Sequence, residues 1–233
     1  MTELLADRNI VVTGGEGALG MVVVRRLLQA GATCHVPSRR AGASAPFASD
    51  ERVRVVGGVD LADQAAVDRF YDALPELWAS VHLAGGFAMA GVVETTGPDF
   101  LRMIETNALT AFLCSRAAVR VMRKTDNGGR IVNVSARPGV DPRKGARMAA
   151  YATSKAAVAA LTIALAEELK GERILVNAVS PSTLDTPANR RAMPDADTSK
   201  WLAPEAAAEA VLQLVSPTNR EISGAVLPMY ARA

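Results

Sequence analysis

Residues 9–30 read NIVVTGGEGALGMVVVRRLLQA. Asn9–Thr13 is short and rich in β-branched residues, as a buried strand is. Gly14–Gly20 then gathers glycines into a tight turn, and from Met21 to Ala30 apolar side chains recur at helical spacing. A strand, a glycine turn and an amphipathic helix in this order open a βαβ unit.

The same alternation continues along the chain. Further strands are expected at Ala32–Val36, Val53–Val56, Ser80–Leu83, Arg130–Val134, Ile174–Val179 and Ala225–Pro228, and helices at Asp63–Ala73, Asp99–Met122, Ala149–Lys170 and Pro204–Val215. The pattern predicts one α/β domain across residues 1–233, a doubly wound parallel sheet of about seven strands of the Rossmann type, with right-handed crossovers. Arg137–Arg147 and Ser180–Ala203 read as loops that follow strands. They are therefore expected at the carboxyl edge of the sheet, where such folds bind ligands.

The 233 residues are 49% hydrophobic and 21% charged, a composition that supports a sizeable core. Basic and acidic residues nearly cancel, 26 against 24, so no broad field favours nucleic acid or an anionic membrane, and neither is expected as a partner. Cys34 and Cys114 lie far apart and suggest no disulfide scaffold, which fits a reducing cytoplasm. No HExxH or CxxC spacing is present, so no metal site is expected. His35 and His82 read as structural, and the charged stretch Arg137, Asp141, Arg143, Lys144, Arg147 as a solvated face. No charged leader with a long apolar stretch opens the chain, and no window reaches ~18 uninterrupted apolar residues, so neither a signal peptide nor a membrane span is expected.

The turn made of Gly14, Gly15, Glu16, Gly17, Ala18, Leu19 and Gly20 has the form that lets backbone approach a dinucleotide pyrophosphate at a helix N-terminus. At the end of the second strand a carboxylate commonly binds the ribose 2′-OH of NAD. This chain has Ser38, Arg39 and Arg40 there, and guanidinium pairs with phosphate, so NADP(H) is expected in preference to NAD(H). Tyr151 and Lys155 stand at i,i+4 on one helix face. An adjacent ammonium favours the phenolate, which suits Tyr151 to proton transfer. The Ser135 hydroxyl is expected to hold a substrate oxygen.

Taken in order, TGGEGALG, Asp60-Leu61, Ala84-Gly85-Gly86, Asn107, Ser135, YATSK and NAVSPSTLDT resemble the short-chain dehydrogenase/reductase family over nearly the whole chain. The resemblance implies an oxidoreductase with a nicotinamide cofactor and a small-molecule substrate. Tyr151 would be the general acid/base. Lys155 would hold the nicotinamide ribose and lower the tyrosine pKa, Ser135 would orient substrate, and Asn107 would support a water-linked proton path. Asp60 and Leu61 would lie toward the adenine. Ala84, Gly85 and Gly86 would line the cofactor, and Pro181, Leu184 and Thr186 its nicotinamide side. The long helices would pair between subunits in a dimer or tetramer. Departures from the family pattern are Ala18 for the usual second glycine, His82-Leu83 before Ala84-Gly85, Ser182 after Pro181, and the placement of Ser135 16 positions before Tyr151.

The stretch from Thr183 through Trp201, with GGEGALG and Ala84–Phe87, is similar to the dihydropteridine reductases. Reduction of a quinonoid pterin is therefore a second expectation, behind carbonyl/alcohol chemistry, which Ser135 favours. A non-catalytic NADP(H)-binding redox sensor is a third, disfavoured by the presence of Ser135, Tyr151, Lys155 and Asn107. Residues 182–203 are expected to form a lid, with Phe87, Met89, Met148, Met193 and Trp201 lining an apolar substrate pocket.

Overall fold

The computed structural model describes residues 4–41 and 50–230. β1 (Asn9–Thr13) enters α1 (Ala18–Gln29) through the glycine turn. β2 (Thr33–Pro37), β3 (Val53–Val56), α2 (Gln64–Asp72) and β4 (Ala79–His82) follow. All seven strands lie in one sheet ordered β3-β2-β1-β4-β5-β6-β7, every neighbouring pair parallel, with β5 (Gly129–Val134), β6 (Ile174–Pro181) and β7 (Val226–Met229) completing it. The winding direction reverses between β1 and β4, which leaves a crevice beyond their carboxyl ends.

Both faces of the sheet are covered, and the central strands β1, β4, β5 and β6 are buried along nearly their whole length. Ile10 and Val12 of β1 pack with Val23, Val24 and Leu27 of α1 and with Val211 and Leu212 of the last helix. Val11, which points the other way, packs with Val67 and Tyr71 of α2 and with Ile131 and Val176.

The long helix expected at Asp99–Met122 is interrupted. α3 (Gly97–Met103) starts at a reciprocal capping box between Thr96 and Asp99, passes into a π-helical turn at Ile104–Leu109, and resumes as α4 (Thr110–Met122). The wider turn changes the face on which later residues fall, and Asn107 lies inside it. The stretch read as the loop Arg137–Arg147 contains α5 (Arg137–Val140) and a 3₁₀ turn. α6 (Ala149–Glu168) carries Tyr151 and Lys155 and packs on β5 and β6. By length and composition it is apolar enough to cross a membrane, with a mean hydropathy of 1.4, although its apolar run is not continuous. The stretch read as the loop Ser180–Ala203 contains α7 (Pro187–Ala192) and a 3₁₀ turn at Thr198–Lys200, before α8 (Pro204–Val215).

A line of buried polar groups crosses the sheet below the crevice. Thr162 of α6 donates to the Val158 carbonyl at 2.8 Å, so its oxygen accepts from Asn133 Nδ2 at 3.0 Å. The amide oxygen of Asn133 then faces His82 Nδ1 at 2.8 Å, which puts the ring proton on that nitrogen. His82 Nε2 accepts from Ser80, 2.8 Å away, and Ser80 accepts from the Tyr71 hydroxyl, also at 2.8 Å. Burial lowers the His82 pKa to about 4, so the ring is neutral and structural. His35, bonded to Asn9 at 3.0 Å, is likewise lowered to about 4 by burial.

Gly14 combines a positive φ with a close approach to the next strand end. Its φ is +67°, and a Cβ there would lie 2.7 Å from the Ala84 amide nitrogen. Gly14→Ala is expected to cost at least about 1–3 kcal/mol of stability from backbone strain alone. Urea unfolding measures it, and an unchanged midpoint would contradict this packing.

Candidate active site

The crevice is built where β1 and β4 end side by side. Leu83 donates its backbone N–H to the Thr13 carbonyl, and Ala84 donates to Thr13 Oγ1, each at 3.2 Å. The turn therefore lies directly against Ala84. Gly17 caps α1 with no side-chain hydrogen bond, and the first turn of α1 holds no acidic residue. Backbone that admits no side chain at Gly14, beside a helix end with unsatisfied N–H groups and a partial positive charge, fits a pyrophosphate. On the far side of the crevice, a Cβ on Gly85 would lie 2.6 Å from Asn107 Oδ1 and 3.4 Å from Lys155 Nζ. Glycine at this position keeps the surface over those two residues open.

Asn107 is buried and fully engaged. Its Oδ1 accepts from the Gly86 N–H at 2.9 Å, while its Nδ2 donates to the Gly86 carbonyl at 3.1 Å and to Ser154 Oγ at 3.0 Å. It thereby ties the Ala84–Gly86 segment to α6. Lys155, also buried, donates its ammonium to the Val134 carbonyl at 2.8 Å. Burial pulls its pKa down to about 8. Tyr151, one turn earlier, is half-buried with its ring edge-on to Phe87, the centroids 5.0 Å apart. Burial pushes the phenol up to about 12, the opposite direction to that expected from a neighbouring cation. Desolvation is the cause of this shift, and the ammonium is directed at a carbonyl instead.

The structure corrects the reading of Ser135. Its hydroxyl donates to the Lys155 carbonyl at 2.8 Å and the residue is 1% exposed, so it offers no donor to a substrate oxygen. It anchors α6 to the end of β5 instead. The next residue, Ala136, is buried and has no polar side chain.

At the other end of the crevice, Ser38 is buried and Arg39 and Arg40 are exposed. Glu16 reaches across from the glycine turn to accept from Ser38 Oγ at 2.6 Å and from Arg40 at 3.1 Å. Val59 donates to the Ser38 carbonyl at 2.9 Å, which sets Asp60 and Leu61 close to the same strand end. Asp60 accepts from the Ala62 N–H at 3.0 Å, and Leu61 is buried.

The segment at 182–203 is pinned at its base by a parallel bridge between Leu184 and Leu202, which follows directly on β6 and Pro181. Thr186 caps α7, its hydroxyl accepting from Asn189 at 3.2 Å, and Asp185 pairs with Arg190 at 2.6 Å. Of the residues expected to line a pocket, Phe87 and Met89 are 63% and 56% exposed, Met193 is exposed and Trp201 half-buried. Met148 lines a cleft of about 220 Å³ with Arg102, Arg147 and Ala88. Phe87 is the one that meets Tyr151. Sequence reasoning missed the reach of Glu16 and also Arg137, whose guanidinium lies 4.7 Å over the Tyr230 ring. Neither contact has a local sequence signal, because each joins separate elements.

The family model described as short chain dehydrogenase matches residues 8–197. The chain belongs to the short-chain dehydrogenase family. It is 34% identical to galactitol 2-dehydrogenase of Rhizobium johnstonii, over 97% of this chain and 95% of that protein. It is 28% identical, over the same shares, to the rhamnolipids biosynthesis 3-oxoacyl-(acyl-carrier-protein) reductase of Pseudomonas aeruginosa. The solved structure of ElxO with NADP bound superposes with a TM-score of 0.87 at 25% identity, covering 95% of this chain and 96% of that one. Relatives named as dehydrogenases and reductases make this short-chain dehydrogenase an NAD(P)-dependent oxidoreductase.

Asn107→Ala would leave both backbone groups of Gly86 without their partner. The expected cost is about 1–3 kcal/mol for buried polar groups left unpaired, with faster amide exchange at Gly86. Exchange at Gly86 no faster than in the unsubstituted enzyme would show that the tie carries no load.

Proposed function

We propose that this enzyme moves a hydride between NADP(H) and a carbonyl or alcohol group of a small molecule, with Tyr151 as general acid/base. The observation that carries the reading is the half-buried phenol at the crevice, one helical turn from a buried ammonium and edge-on to Phe87. The names of the relatives, a sugar-alcohol dehydrogenase and a 3-oxoacyl reductase, support this substrate class. When bound, the nicotinamide supplies or accepts the hydride.

The residues of the chain handle position and protons. The glycine turn and the α1 N-terminus hold the pyrophosphate, and Asp60, Leu61 and Ala84–Gly86 line the adenine side and the floor. Arg39, Arg40 and Ser38 favour the 2′-phosphate, the basis for preferring NADP(H). That a structural neighbour carries NADP agrees with this preference. Pro181, Leu184 and Thr186 border the nicotinamide side, and the segment bridged at Leu184 and Leu202 closes over substrate. Phe87, Met89, Met148, Met193 and Trp201 give that space its apolar character. With its pKa pushed to about 12, Tyr151 keeps its proton at neutral pH and gives it to the carbonyl oxygen during reduction. Lys155 turns from the Val134 carbonyl toward the ribose and the phenol. Asn107 keeps the segment above them in place.

Since Ser135 is bonded to the Lys155 carbonyl, the substrate oxygen depends on Tyr151 without help from a serine. That geometry favours a second reading, reduction of a quinonoid pterin, which needs a proton donor and no serine. Assay of quinonoid dihydropterin beside a panel of ketones separates the two.

A second copy of the chain is the proposed partner. Phe112 of α4 and Ile163 of α6 are exposed apolar residues on the two helices that would pair. The cysteines Cys34 and Cys114 are buried free thiols, in keeping with a reducing cytoplasm.

Tyr151→Phe is expected to lower kcat by about 10²–10⁴-fold while calorimetry shows cofactor affinity unchanged. Turnover that survives the substitution would reject the mechanism. For the pH profile, Lys155 carries its charge below about 8 and loses it above, while the phenol stays protonated throughout that range. The kcat/KM for reduction is therefore expected to be level through neutrality and to fall as pH rises past about 8.

A further inference from the structure

Glu16 belongs to the glycine turn, yet its side chain ends at β2. One carboxylate oxygen accepts from Ser38 Oγ at 2.6 Å, and the other accepts from Arg40 Nη2 at 3.1 Å. The Ser38 oxygen also accepts the Arg40 backbone N–H at 3.3 Å, so the three residues form a closed cluster. Two of the groups that favour a 2′-phosphate thus already hold a carboxylate.

We infer that Glu16 sets the balance between NADP(H) and NAD(H), by supplying from the glycine turn the carboxylate that the end of β2 lacks. The inference rests on reading this crevice as the dinucleotide site.

The two cofactors make opposite demands on Glu16. A ribose 2′-hydroxyl is neutral and has one proton to donate, and a carboxylate is a strong acceptor for it. A 2′-phosphate brings a charge near −2 into the same space and is repelled by a carboxylate. The Glu16 side chain is only 17% exposed, so solvent screens that repulsion weakly, whereas the Arg40 side chain is 76% exposed and free to turn. Two arrangements follow. With NAD(H), Glu16 keeps Ser38 and Arg40 and accepts from the ribose. With NADP(H), Arg40 leaves Glu16 and joins Arg39 on the phosphate, while Glu16 withdraws. Two arginines against one glutamate leave NADP(H) ahead, by a margin that Glu16 reduces.

Calorimetric titration of the full chain with NADPH and with NADH, without substrate, tests this on the unsubstituted enzyme and on Glu16→Gln. The substitution preserves size and removes the charge. NADPH is expected to bind about tenfold tighter, the loss of roughly one unfavourable charge contact, and NADH several-fold weaker. Glu16→Asp keeps the charge but is too short to reach both partners, and its NADPH/NADH affinity ratio is expected to lie between the other two. Thermal unfolding checks that each variant is folded. If both nucleotides bind and neither variant changes the ratio, the inference is overturned while the dinucleotide site stands. If the unsubstituted enzyme binds neither nucleotide, both are overturned.

Discussion

The constraint that places the site is steric. Where β1 and β4 end together, the turn after β1 passes so near the Ala84 amide that position 14 tolerates no side chain. The crevice exists because winding reverses between these two strands, and the bare backbone at Gly14 keeps it open to a phosphate-bearing ligand. The other site residues are placed relative to this junction. Ala84 starts the segment that Asn107 ties down, and Asn107 in turn bonds Ser154 beside the tyrosine and lysine of α6.

Electrostatics at the site is dominated by desolvation. Burial raises the pKa of Tyr151 and lowers that of Lys155, so each is driven toward its neutral form. A neutral phenol is a proton donor, the state a carbonyl acceptor needs. The ammonium is held by a backbone carbonyl rather than by a carboxylate, and a carbonyl is easier to leave than a full negative charge. Under the proposed mechanism, that leaves the lysine available to a ribose and to the phenol.

The fold was legible because its signals are local. β-branched runs, a glycine turn and helical spacing depend on neighbours in sequence, and all seven strands lie close to their expected places. Tyr151 and Lys155 were legible as a pair for the same reason, since helical spacing alone puts them on one face. What escaped depends on contacts across the chain. The π-helical turn accompanies an Asn107 that bonds a glycine 21 residues away, and Glu16 meets Ser38 across 22 residues. Ser135 failed for a different reason. Side chains alternate about an extended backbone, so one residue decides which side a hydroxyl takes, and residue type does not report that phase. Here the serine points into α6 and the adjacent alanine has nothing to offer.

The buried line from Tyr71 to Val158 has one further consequence. A helix carbonyl can only accept, so the Val158 end dictates the orientation of every proton along the line, back through Thr162, Asn133, His82 and Ser80. Like a filament of ice fixed at one end, it has a single permitted ordering, and no member can rotate alone without opening a gap that water does not reach. α2, β4, β5 and α6 are therefore held in a common polar alignment, and the helix that presents the tyrosine inherits rigidity from a residue on the opposite side of the β4 strand.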